Sequence, residues 1–149
     1  MIKTKKDTAF GIVPIFYNDE KKPLFLIVQH NAGHWGFPKG HAEENENPLD
    51  TAKREFEEEV GITDYDIISG VPFIENYVIS KEIATLHKKE GEEIEKTVSY
   101  FPVIIKNREV VIQKTELQNF KWLPFEDALE VLTFKESKNL LKEIYQSIN

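Results

Sequence analysis

The chain has 149 residues, 40% of them apolar, 30% charged and 11% aromatic, which excludes a disordered tail and suits a single domain over 1–149 with a buried core. It has no cysteine, so disulfides, zinc–thiolate sites and a thiol nucleophile are excluded together. The net charge of −7 argues against long nucleic acid as a partner, and neither a secretion signal over residues 1–7 nor a membrane-length apolar run is seen, so a cytoplasmic protein without a membrane partner is expected.

In chain order, residues 9–17 read as a strand, and Pro14, which has no N–H, places it at a sheet edge or a bulge. Residues 18–22 are a turn and 24–28 a buried strand, so the two strands make a hairpin. Residues 31–41 form an irregular loop that mixes His34, Trp35 and Lys39 with three glycines and Pro38, the composition of a binding loop. Asn47 and Pro48 are an N-cap and first helical residue. Leu49, Ala52, Phe56 and Val60 follow at helical spacing, and Gly61 closes the helix. Residues 64–79 and 97–105 read as strands, with a charged hairpin-like segment, 80–96, between them. Short strands are expected at 110–113 and 120–123, and a helix opened by Pro124 over 125–132. A last amphipathic helix over 136–147 places Leu140, Leu141, Ile144 and Ile148 on one side. Trp122 is assigned to the core and His87 to solvent, while His41 suits a loop donor as well as a ligand.

The charge is concentrated. Residues 40–62 hold eight acids against two bases, Lys53 and Arg54. Within them Glu55, Glu58 and Glu59 stand at i, i+3 and i+4, on one arc of the helix opposite its apolar stripe. The stripe pins the helix, so the acids cannot rotate apart. A hard divalent cation relieves such repulsion, and Mg²⁺ takes carboxylates together with water and phosphate oxygens. Just upstream, His34 and Lys39 can meet anionic oxygens, and Gly36 and Gly40 allow close backbone approach. Side-chain chemistry alone therefore points to a metal-dependent reaction on a phosphorylated substrate.

Gly40, Glu46 and the run Arg54-Glu55-Phe56-Glu57-Glu58-Glu59-Val60-Gly61-Ile62 fit the Nudix box at each of its specified positions. The chain thus resembles the Nudix hydrolases, and the order of its elements is similar to their α/β/α sandwich with a mixed sheet. The resemblance implies a metal set of Glu55, Glu58 and Glu59, with the backbone carbonyl of Lys39 as a further oxygen. It makes Arg54 the holder of a box glutamate and Glu46 the residue that orients the loop. The cofactor it implies is Mg²⁺, with Mn²⁺ as the substitute. Glu116, six residues before Trp122-Leu123, resembles a glutamate that reaches the metal cluster; it is the candidate general base, with Glu55 or Glu58 next.

Outside the box the chain is similar to the asymmetrical diadenosine tetraphosphate hydrolases of the animal and archaeal type. The segments that carry this are Trp35-Gly36-Phe37-Pro38-Lys39-Gly40-His41, Glu75-Asn76-Tyr77-Val78, Lys96-Thr97-Val98-Ser99-Tyr100-Phe101 and Phe134-Lys135-Glu136. That likeness implies an adenine held between Tyr77 and Phe134, and polyphosphate contacts from His34, Lys39 and Lys96. Residues 80–95 are longer than that group's norm and bear on the outer phosphate pocket. The expected activity is Mg²⁺-dependent hydrolysis of dinucleoside polyphosphates by a monomer acting on a small nucleotide. The alternatives are a Nudix pyrophosphohydrolase of a nucleoside triphosphate, an RNA 5′ end or a nucleoside diphosphate sugar, and a non-catalytic nucleotide-sensing module.

Overall fold

The computed structural model describes residues 2–84 and 89–149; His87 lies outside the described residues. The elements are β1 (Ile2–Tyr17), β2 (Pro23–His30), β3 (Trp35–Gly36), β4 (Lys39–Gly40), α1 (Pro48–Val60), β5 (Tyr65–Ile67), β6 (Phe73–Ala84), β7 (Lys89–Ile105), β8 (Leu117–Pro124), α2 (Phe125–Val131) and α3 (Lys135–Ile148). The strands form one sheet whose central pair, β1 and β7, runs parallel from Ile2↔Gly91 to Ile15↔Ile104, while the other pairings are antiparallel.

Each face of this mixed sheet is covered by helices. Val13, Ile15, Phe25 and Ile27 point to α2 and α3, where Ala128, Leu140, Leu141 and Ile144 close the first core. Ile12, Leu26 and Val28 point the other way, to Ala52, Phe56 and Val60 of α1. Burial on both faces is why residues 24–28 are apolar without alternation. The result is an α/β/α sandwich. Among the described residues no helix is long and apolar enough to cross a membrane.

α1 begins and ends as its sequence predicts. The Asn47 side chain accepts from the Asp50 N–H at 2.9 Å. Gly61 takes φ 71°, and its N–H donates to the Glu57 carbonyl at 3.0 Å.

Four expectations change. β1 is interior, not an edge. The Ile12 N–H donates to the Pro38 carbonyl, so Pro14, two residues on, points its missing donor to the same flank. There it falls between the register with β4 at Phe10 and Gly11 and that with β2 at Ile15, where the ladder asks nothing of it. Residues 110–113 are not a strand. The N–H groups of Val111 and Gln113 donate to the Val60 and Glu59 carbonyls at 3.0 and 2.8 Å, so this extended piece caps the C-terminus of α1. The loop 31–41 contributes β3 and β4 to the sheet. Finally, 80–96 has the hairpin-like pairing expected of it but its described residues belong to the strands themselves, because β6 runs on to Ala84 and β7 starts at Lys89, in antiparallel register to Ala84↔Lys89.

Candidate active site

The acid face of α1 is organised by one arginine. Arg54 donates in a fork to both oxygens of Glu46 at 2.8 and 3.0 Å, to Glu55 at 3.0 Å, to Glu58 at 3.3 Å and to the His41 carbonyl at 2.9 Å. Glu46 also accepts from the Thr51 hydroxyl and the Glu43 N–H, and with Arg54 first among the causes its pKa falls to about 2. The helix is therefore less frustrated than its charge count implies, since one guanidinium meets three box glutamates. His41 is a loop donor, at 2.8 Å from Asp7.

Glu59 is left outside this network. It is 3% exposed, and its Oε2 is buried without a hydrogen-bond partner among the described residues. The Lys39 backbone N–H faces its carboxylate, but burial first and the Glu55 charge second push its pKa up to about 8, with Glu116 adding to the rise. Glu55 is also raised, by burial first, against the pull of Arg54 and with the push of Glu58 and Glu116. A side chain at Gly40 would collide with the Glu55 carboxyl, so that glycine leaves the space this acid fills.

As the side chains stand, among the described residues no three His, Asp or Glu groups are gathered into a cation cage. Arg54 holds Glu55 and Glu58 to itself, and Glu58 is half exposed. The donor set nevertheless fits a hard cation: an orphaned buried carboxylate oxygen, two further acids acting on it, and oxygen ligands throughout. The loop that carries Glu116 runs beside this set. The Glu116 N–H donates to the Gln113 carbonyl at 3.0 Å, and the Gln113 N–H donates to the Glu59 carbonyl at 2.8 Å, so the loop is tied to the last turn of α1.

The other predicted residues converge elsewhere, on one cleft of about 530 Å³ lined by His34, Lys39, Tyr77, Lys96 and Phe134, with Val78, Ile79 and Glu136. The Tyr77 and Phe134 rings are near-parallel, 22° apart, with centroids 6.2 Å apart. His34 lies 5.4 Å from Phe134 and stacks on His30 at 4.5 Å. Burial and then the Lys96 charge lower the Lys39 pKa to about 8. Lys96 is held by Asp7 at 3.3 Å. Lys39 joins the two halves: its side chain lines the cleft while its backbone N–H meets Glu59. Trp122 lies away from the cleft, half-buried against Phe16 and the core under α1 as expected, with its Nε1–H donating to the Arg108 carbonyl.

Four residues here escaped sequence reasoning: Asp7, His30, Glu75 and Ser137. Glu75 was within reach, since strand alternation places it on the Tyr77 face of β6. His30 ends a strand and Asp7 acts across the sheet, and neither stands at a telling spacing.

A mixed sheet between two helical layers, with an arginine-latched glutamate helix beside a basic aromatic cleft, defines a class. Residues 5–144 match the family model described as NUDIX domain, and the chain belongs to the Nudix family. It is a Nudix hydrolase. It is similar to the mouse bis(5′-nucleosyl)-tetraphosphatase [asymmetrical], 37% identical over 82% of this chain and 78% of that protein. It is also similar to an RNA pyrophosphohydrolase of Nitratiruptor, 30% identical over 78% and 77%. Among solved structures it resembles a Caenorhabditis elegans Ap4A hydrolase binary complex, with a TM-score of 0.73, 27% identity, and 95% and 96% of the two chains covered.

Proposed function

We propose that this protein hydrolyses dinucleoside polyphosphates, converting diadenosine tetraphosphate to ATP and AMP with Mg²⁺, or Mn²⁺ in its place. The observation that carries this reading is the convergence of His34, Lys39, Tyr77, Lys96 and Phe134 on one cleft joined through Lys39 to the acids of α1. Two aromatic planes suit an adenine. A third ring between them needs about 7 Å, two carbon contacts of ~3.5 Å each, slightly more than the 6.2 Å observed. Phe134 is the N-cap residue of α3 and 42% exposed, so a small shift of its ring admits the base. Lys39, Lys96 and His34 then meet the phosphate chain.

Glu55, Glu58, Glu59 and Glu116, with the Lys39 carbonyl, would hold the metal. When bound, Mg²⁺ supplies charge neutralisation for the polyphosphate and its leaving group. Arg54 positions Glu55 and Glu58 while Glu46 anchors it from the far side. Glu116 receives the proton of the attacking water. The water oxygen bonds to phosphorus, the bridging oxygen leaves with the departing phosphate, and the net change is water added across one P–O–P link. The protein acts as a single domain and a monomer on a small cytoplasmic nucleotide.

The test incubates the protein with Mg²⁺ and a nucleotide panel and resolves the products by chromatography. Equal ATP and AMP from diadenosine tetraphosphate support the reading. Pyrophosphate from nucleoside triphosphates or from triphosphorylated RNA, with the dinucleotide untouched, overturns it in favour of the other pyrophosphohydrolases.

A further inference from the structure

Behind the aromatic cleft lies a recess of about 10 Å³ that shares His34, Lys39, Tyr77 and Phe134 with it. That is room for one water-sized group. Its wall carries polar side chains that the mechanism above does not use, in two groups. Glu75 stands two residues before Tyr77 on β6, so the two side chains share a face. It is 4% exposed, and its Oε2 accepts from the Ser137 hydroxyl at 2.9 Å. Ser137 is three residues beyond Phe134 at the start of α3, and it is equally buried. The elements that bring the two rings together therefore also place a carboxylate at their base.

The second group is His30. It stacks on His34, and its Nε2 is buried without a hydrogen-bond partner among the described residues. Burial first, then the charges of His34 and Lys39, hold its pKa near 3, so the imidazole is neutral. A carboxylate accepts only, so Glu75 favours a hydrogen-bond donor over a carbonyl, and the uncharged His30 ring adds no positive charge to draw a carbonyl in. Lys39 also borders the recess, and the Glu59 and Glu75 charges both act on its ammonium.

We propose that Glu75 reads the base, accepting a hydrogen bond from the exocyclic amino group of an adenine held between Tyr77 and Phe134. A purine with a carbonyl at that position sets oxygen against oxygen and moves its donor to the neighbouring N1–H, out of line with an acceptor aimed at the exocyclic position. The inference rests on the nucleotide reading of the cleft and goes beyond it, because stacking alone does not distinguish purines.

The experiment compares ATP with ITP, which carries a carbonyl where ATP carries the amino group. Binding to the full chain is measured by calorimetry. The parent protein should bind ATP about 10- to 100-fold more tightly, the usual size of discrimination by a buried hydrogen bond. In Glu75→Gln the amide still accepts from Ser137 and now offers a donor, so the ratio should fall to within about threefold, chiefly through tighter ITP binding. Melting temperature is followed alongside, since a merely structural Glu75 would move stability and leave the ratio alone. Equal affinities in the parent, or an unchanged ratio in Glu75→Gln, overturn the proposal; the parent measurement does so even if the variant does not fold. Diadenosine tetraphosphate turnover is assayed in parallel. Turnover with equal ATP and ITP affinities rejects base reading and leaves the proposed function standing. ATP preference lost in Glu75→Gln without dinucleotide turnover upholds base reading and rejects that function. Absence of both nucleotide binding and dinucleotide turnover rejects both.

Discussion

Tyr77 and Phe134 come from distant parts of the chain, and their rings meet at 22° over a cleft that also holds two lysines. Stacking on a base is felt equally before and during reaction, so Tyr77→Ala and Phe134→Ala should each raise KM by about 5- to 100-fold and leave kcat within a few-fold. Unchanged KM with lowered melting temperature would return both to a packing role. Glu116 differs in kind. Its charge acts on Glu55 and Glu59, and as the proposed base it should affect the chemical step, so Glu116→Gln should lower kcat by about 10²–10⁴-fold with a far smaller effect on KM. Single-turnover rates within about threefold of the parent would move the base to Glu55 or Glu58. His30 makes a prediction about pH. Its folded pKa is about 3 against 6.5 when free, so the folded state holds it neutral and the unfolded state binds a proton first. The stability it contributes is present above pH 6.5 and is lost as pH falls from there towards 3, by at most about 1.4 kcal/mol per pH unit. Melting curves for His30→Gln should be flatter than the parent's across that window; parallel curves would show that His30 is not the group responsible.

At the scale of the element, α1 is a helix whose two faces do different work. Leu49, Ala52, Phe56 and Val60 seat it on the sheet, and its caps at Asn47 and Gly61 fix where it starts and stops. That seating leaves Glu59 buried with an oxygen to spare. A cation that binds only the folded chain stabilises it by mass action, about 2.7 kcal/mol at a hundredfold excess over Kd. Mg²⁺ should therefore raise the melting temperature of the parent by roughly 5–10 °C at saturating concentration, at about 2–4 °C per kcal/mol for a chain of this size. Glu59→Gln should raise the metal-free melting temperature, because the parent must either protonate this acid on folding or bury its charge beside Glu55 and Glu116, and should abolish most of the Mg²⁺ increment. A variant less stable without metal and equally responsive to it would contradict the assignment. Much of this helix was legible beforehand. Capping residues, apolar spacing and acid spacing are local properties of an α-helix. What spacing hid was Arg54 reaching across the loop to Glu46, a contact that turns a row of repelling acids into a latched network.

At the scale of the molecule, two apolar clusters on opposite faces of the sheet carry the fold, and neither contains the acid face of α1. Excess chelator should therefore abolish turnover while the far-ultraviolet circular dichroism stays unchanged; full activity in chelator would sink the metal-dependent reading. The chain by itself determined which stretches are helix, where they cap, that 24–28 is buried on both faces, and that Glu55, Glu58 and Glu59 share an arc. These follow from periodicity and capping chemistry, which act between residues a few places apart. Pairing was not determined locally. That β1 lies inside the sheet despite Pro14, that residues 110–113 close the end of α1 instead of forming a strand, and that β6 extends to Ala84 each depend on which partner arrives at a given backbone edge. The cleft belongs to the same category. His34 and Lys39 are legible from the chemistry of their loop, and Tyr77, Lys96 and Phe134 only through resemblance, one segment at a time. Only the packing of α3 against β6 brings Phe134 to Tyr77 and Ser137 to Glu75, because burial of the apolar side of α3 fixes where its first turn falls.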